Sequence, residues 1–182
     1  QYAEPKMKVM GLEMVKSSTP SAIREKMKES IGIMLRGTEE DIHKFISEFR
    51  EEFKKLPAEE ISFPRGLNGL AKYTDAVSLY KLGTPIHVKG AILYNNYLKQ
   101  NNLTKKYPLI QEGEKIKFTY LKLPNHFKDM VISYPSRLPK ELGLDKYIDY
   151  DVQFDKAFLE PIKVILNCLG WTTEKVNSLE DF

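Results

Sequence analysis

Two adjoining segments, 20–35 and 38–56, constrain the fold most: in both, apolar residues recur every three or four positions. In the first, Ile23, Met27, Ile31 and Met34 share one helical face, with Arg24, Glu25 and Lys28 off it. In the second, the stripe is Ile42, Phe45, Phe49, Phe53 and Leu56. Arg36-Gly37 ends the first helix, and Gly37 suits a left-handed cap. Thr38-Glu39-Glu40-Asp41 opens the second as a near capping box, with Asp where Glu is usual. Two amphipathic helices joined this closely predict an antiparallel hairpin that buries both stripes. The phenylalanines have a second reading, as a stacking platform for bases, but helical spacing favours core. Pro57 marks the stop.

Ahead of the hairpin, Lys6-Met7-Lys8-Val9-Met10 alternates as a half-buried strand does, and residues 2–15 read as extended. Thr19 is the expected N-cap of the first helix and Pro20 its first residue. Lys16, Ser17 and Ser18 precede that cap. A cation and small donors before a helix start suit a phosphate or base-edge contact. They also suit a plain capped start. Beyond the hairpin, residues 60–73 give a short strand and a Pro/Gly/Asn loop. There Gly66 and Gly69 permit close approach, while Arg65, Asn68 and Lys72 supply donors; a surface turn is the simpler reading. Thr84-Pro85 repeats the Thr19-Pro20 device before a helix to about Lys99, whose first turn carries His87 and Lys89. Ile116, Phe118 and Tyr120 alternate with Lys115, Lys117 and Thr119, and a second strand follows at 130–134. A small antiparallel lobe with a wet lysine face is expected. Asp149 or Asp151 caps a last helix whose Phe154, Phe158, Ile162, Ile165 and Leu169 face inward, and Pro161 should kink or break it. The fold class expected is α+β: a mainly helical domain with a helical hairpin and a small antiparallel β lobe.

The 182 residues suit one domain, and the 42% hydrophobic and 29% charged fractions are ordinary for a globular chain. A net charge of +3 permits nucleic-acid binding without requiring it. The single Cys168 excludes an internal disulfide, and its apolar surroundings suggest a small core residue. No apolar run is long enough to cross a membrane. The start at Gln1, inside a strand pattern, suggests a piece of a longer protein. No nucleophile elbow, paired cysteine or His-Glu-x-x-His occurs. His43, His87 and His126 are isolated in sequence, so neither a metal site nor a catalytic residue is assigned.

Tyr2-Ala3-Glu4-Pro5, Lys8, Met10-Gly11-Leu12-Glu13 and Lys16-Ser17-Ser18-Thr19-Pro20 stand in order with Ile61-Ser62, Ala71-Lys72-Tyr73, His87-Val88-Lys89-Gly90 and Asp149-Tyr150. This set resembles the T-even-phage type of family B DNA polymerase, from just past the last palm motif into the thumb, over essentially the whole chain. The resemblance implies a palm remnant at 1–18, a thumb domain at 19–172 and a tail at 173–182. The family's catalytic aspartate motifs lie upstream of the matched region, so this chain alone is expected to be inactive, with Mg²⁺ serving the full-length polymerase. The implied role is to grip primer–template duplex through minor-groove and backbone contacts, which are blind to sequence. The implied contacts are Lys16, Ser17, Ser18, Gly66, Asn68, Lys72, His87 and Lys89; where the family often has serine or asparagine, this chain departs from it with Arg65-Gly66. The family ends in a clamp-binding peptide; Leu179 and Phe182 resemble part of it, without its second aromatic. The implied partners are duplex DNA, the sliding clamp and the rest of the polymerase. No membrane contact is expected, and the chain is expected to be a monomer in the cytoplasm of an infected bacterial host. The rival reading is a stand-alone helical adaptor that binds a protein and no DNA.

Overall fold

The computed structural model describes residues 18–174. The chain divides into two compact units: Pro57–Gln153, and the segments on either side of it.

The flanking unit is built on the hairpin. α1 (Ser21–Arg36) and α2 (Glu39–Phe53) pack together, with Ile23, Met27, Met34, Ile42, Ile46, Phe49 and Phe53 buried. Both expected stripes are recovered, although Ile31 and Phe45 are only half-buried and Leu56, also half-buried, lies beyond the end of α2. Both halves of the capping box form: the Asp41 N–H donates to Thr38 Oγ1 at 3.2 Å, and the Thr38 N–H donates to Asp41 Oδ2 at 2.8 Å. Two expectations at helix ends are corrected. Pro20, not Thr19, takes the N-cap of α1. Gly37 is extended, with φ −106°, rather than left-handed. Glycine is needed there for closeness instead, because a Cβ would stand 2.8 Å from Asp41 Oδ2 and 3.0 Å from the Ile33 carbonyl.

The chain returns to this unit through a helix in three parts: α6 (Tyr150–Phe154), a π-helical segment (Asp155–Leu159) and α7 (Glu160–Leu169). Asp149 is the cap, accepting from the Val152 N–H at 3.1 Å. Pro161 has no N–H for the Ala157 carbonyl, and its ring crowds that oxygen. The wide π turn ends two residues before it, as a helix loosens where its ladder is interrupted. Phe154, Phe158, Ile162 and Ile165 face inward as expected, while Leu169 is half-buried. Phe49 is central to the core, its ring centroid 5.0 Å from Phe158 and 5.4 Å from Phe154, both edge-on. Packed edge-on and buried, Phe49 and Phe53 are core residues rather than a platform for bases. Cys168 lies on the exposed side of α7, against the core expectation, because it falls off the Ile162–Ile165–Leu166 stripe.

The central unit is a three-stranded antiparallel sheet with a helix across it. The strands are β1 (Phe63–Gly66), β4 (Lys115–Tyr120) and β5 (Val131–Tyr134), in the order β1-β4-β5. Phe63 pairs with Phe118 across β1 and β4, their rings stacked 5.1 Å apart. Short α3 (Ala58–Ile61) and α4 (Leu70–Tyr73) flank β1, followed by a hairpin of β2 (Thr74–Asp75) and β3 (Leu79–Tyr80). α5 (Ile86–Gln100) packs on β5 and buries Val88, Gly90, Ala91, Ile92, Leu93, Tyr94 and Leu98. Pro85 is its N-cap, where Thr84 was expected. Gln153 ties β4 to the end of α3: its Oε1 accepts the Tyr120 N–H at 2.9 Å, and its Nε2 donates to the Ile61 carbonyl at 2.8 Å. The face expected to be a wet lysine row is partly covered, with Thr119 buried and Lys117 Nζ donating to the Glu59 carbonyl at 3.0 Å. The structure is thus α+β, mainly helical, with a helical hairpin and a small antiparallel sheet.

Candidate nucleic-acid interface

Five of the candidate residues lie in the central unit. Gly66 ends β1, Asn68 follows in the loop, Lys72 is on α4, and His87 and Lys89 are in the first turn of α5. Ser18 is half-buried in the turn before α1. Lys16, Ser17, Leu179, Phe182 and the strand expected within 2–15 lie outside the described residues.

The loop after β1 is held open by backbone needs. Nothing stands within 4 Å of a Cβ built at Gly66, so that edge is accessible. Gly69 is left-handed at φ 96° and passes close to the Tyr73 ring. Asn68 and Lys72 are exposed, with the Lys72 ammonium 5.1 Å from the Tyr73 ring centroid. The N–H groups at the start of α4 are already taken. Gly69 and Leu70 both donate to the Glu112 carboxylate, the latter at 2.8 Å. An anion contacting this loop therefore meets the side chains of Asn68 and Lys72 rather than those amides. Glu112 was invisible in sequence, since it lies 43 residues from Gly69 with no shared motif.

At the start of α5 the two candidates differ in character. His87 is half-buried beside the Phe118 ring, 6.3 Å between centroids. Burial, and then the nearby Arg65 guanidinium, hold its imidazole below the ordinary histidine range, so the ring is neutral at pH 7. Its backbone carbonyl accepts from Ser133 Oγ at 2.7 Å, pinning α5 to the sheet. The cations are Lys89 and Arg65. The Lys89 ammonium sits 4.9 Å from the centroid of Tyr80. The Tyr80 hydroxyl donates to Asp129 Oδ2, and this bond, with burial, pushes its pKa up to about 12. The Arg65 guanidinium lies 5.4 Å from the Phe118 centroid and 5.7 Å from that of Phe63. Its Nη1 donates to the Pro64 carbonyl at 2.8 Å. The arrangement presents fixed cations and small donors from β1, the following loop and the first turn of α5, with no base-reading geometry built in.

Among the described residues, no three or more histidines, cysteines, aspartates or glutamates stand close enough to hold a metal ion. His126 is occupied by a contact of its Nε2 with the Leu142 carbonyl at 2.6 Å, and His43 by one with the Thr172 carbonyl at 2.8 Å. No helix of the described residues is long and apolar enough to cross a membrane.

No protein-family model matches the chain. The DNA-directed DNA polymerase of Escherichia phage RB69 is 36% identical to it over 186 residues, covering 100% of this chain and 20% of that polymerase. The DNA-directed DNA polymerase of Enterobacteria phage T4 is 31% identical over 184 residues, covering 99% of this chain and 20% of that polymerase. The chain thus spans 20% of the length of the curated relatives it matches. From end to end, then, its sequence is similar to part of the DNA polymerases of the T-even-type phages T4 and RB69.

Proposed function

We propose that this chain is the thumb region, with a palm remnant, of a family B replicative DNA polymerase of the T-even-phage type, and that it grips primer–template duplex behind an active site carried elsewhere. The observation that carries the reading is the whole-length similarity to two phage polymerases. The exposed Asn68 and Lys72, the open edge at Gly66 and the cations Lys89 and Arg65 are compatible with it. His87 contributes as a neutral hydrogen-bonding ring, and Lys16, Ser17 and Ser18 are taken as further contacts from the resemblance alone. Such groups meet phosphates and the acceptors that every base pair shows in the minor groove, so binding is blind to sequence. Mg²⁺ and the catalytic aspartates belong to the rest of the polymerase. The duplex and that remainder are the partners, and Leu179 and Phe182 engage the sliding clamp, all in the cytoplasm of an infected bacterial host.

The test is a titration of the chain against primer–template duplexes of unrelated sequence between about 50 and 200 mM salt. Weak binding that falls with salt and ignores sequence is expected. Lys16→Ala, Lys72→Ala and Lys89→Ala should each lower the log–log salt slope by about 0.9 where a phosphate contact is lost. Salt-independent binding, or a variant that changes sequence preference, would defeat the reading.

A further inference from the structure

Lys89 stands where its own helix gives it no support. It lies in the first turn of α5, at the positive end of the helix dipole, where a cation is disfavoured, and that turn contains no acidic residue. Its ammonium makes no hydrogen bond or ion pair among the described residues. The group that holds it is the Tyr80 ring, whose centroid is 4.9 Å away. A ring covers one side of an ammonium and leaves its N–H donors free to turn toward an acceptor.

The ring is itself held. Tyr80 lies on β3, paired with Thr74 of β2, and the neighbouring Leu79 is left-handed at φ 72°, a conformation leucine rarely adopts. The Tyr80 hydroxyl donates to Asp129 Oδ2, in the loop between β4 and β5. Asp129 is fixed on two sides: its Oδ1 accepts the Met130 N–H at 2.8 Å, and its carbonyl accepts from the buried Asn125 amide at 2.8 Å. With its pKa pushed up to about 12, the phenol keeps its proton at neutral pH and this bond persists. A phenol that donates to a carboxylate also carries more electron density on its ring, which strengthens its pull on a cation. Lys89 and Tyr80 are thus set by a carboxylate 49 residues along the chain from the ring it braces.

We infer that Tyr80, braced by Asp129, is a positioning residue for the grip on DNA, holding the Lys89 ammonium in the place from which it meets a duplex phosphate. This rests on the proposed duplex binding and adds to it a residue that acts only through Lys89. A loose lysine still reaches a phosphate, but gives up its side-chain freedom on binding; a lysine ordered over a ring has given it up on folding. Tyr80 therefore acts on affinity and not on the number of phosphates neutralised.

The test is a double-mutant cycle on the full chain, read as affinity for primer–template duplex at about 100 mM salt and as the salt slope around it. Tyr80→Leu should weaken binding about two- to tenfold, the cost of ordering one long side chain, and leave the slope as in the parent. Lys89→Ala should lower the slope. Tyr80→Phe keeps the ring and should fall between the parent and Tyr80→Leu. In the Lys89→Ala background, Tyr80→Leu should weaken binding no further, whereas a general folding defect would still do so. By NMR of the free chain, the Lys89 side-chain protons should be shifted upfield by the Tyr80 ring current and lose that shift in Tyr80→Leu. A parent that binds no duplex would defeat the proposed function and this inference with it. A parent that binds, with Tyr80→Leu and Lys89→Ala losses that add, with Tyr80→Leu as tight as the parent, or with unshifted Lys89 protons, would overturn the inference alone.

Discussion

Gly90→Ala is expected to be among the most damaging single changes in the central unit. Gly90 is where α5 meets β5, and a Cβ there would stand 2.4 Å from Ser133 Oγ, 2.6 Å from Ser133 N and 2.9 Å from the Ile132 carbonyl carbon. The hydroxyl can rotate away, but only by giving up its 2.7 Å bond to the His87 carbonyl. The two backbone atoms cannot move without shifting β5, which is paired to β4 along its whole length. Overpacking costs about 1–3 kcal/mol, and backbone neighbours put this site near 3. The lost buried hydrogen bond adds about 1 kcal/mol. Alanine's better helix propensity returns about 1 kcal/mol. The net is a loss of about 3 kcal/mol, or roughly 6–12 °C in melting temperature for a chain of this size. Gly32→Ala is the matched control, because it lies mid-helix with nothing within 4 Å of its Cβ. There only propensity acts, and a gain of up to about 1 kcal/mol is expected. Urea unfolding of both variants followed by circular dichroism measures the pair. A Gly90→Ala protein as stable as the parent would show that α5 does not approach β5 this closely and would refute the argument.

Gln153→Leu should cost about 3 kcal/mol, because it leaves the Tyr120 N–H and the Ile61 carbonyl buried without partners; an unchanged urea midpoint would contradict this. His87 carries a pH signature. Its folded pKa lies below the ordinary 6.5, so the unfolded chain protonates first as pH falls. Its stabilising contribution is complete above about pH 6.5 and declines below it, so urea midpoints at about pH 7.5 and 5.5 should differ less in His87→Gln than in the parent. Thr38→Ala should cost about 1 kcal/mol through loss of the capping box, read in the same assay. The Cys168 thiol is exposed and should react fully with a thiol reagent under native conditions; a thiol that reacts only after unfolding would restore the core reading.

Local sequence determined the helices, their stripes and the capping box of α2. These rest on interactions within about four residues, so period and cap chemistry suffice to read them. It determined the similarity to phage polymerases too, since ordered motifs need no coordinates. Tertiary structure decided whatever depends on partners far apart in the chain. Glu112 occupies amides 42 and 43 residues away, burial and then Arg65 lower the pKa of His87, and β1 joins β4 across a gap that no periodicity spans. It decided the role of Gly37 as well, where sequence read a left-handed turn and the structure shows a close approach of Asp41 and Ile33. A glycine's sequence neighbours do not distinguish those two reasons for lacking a side chain; only the atoms that surround it in the folded chain do.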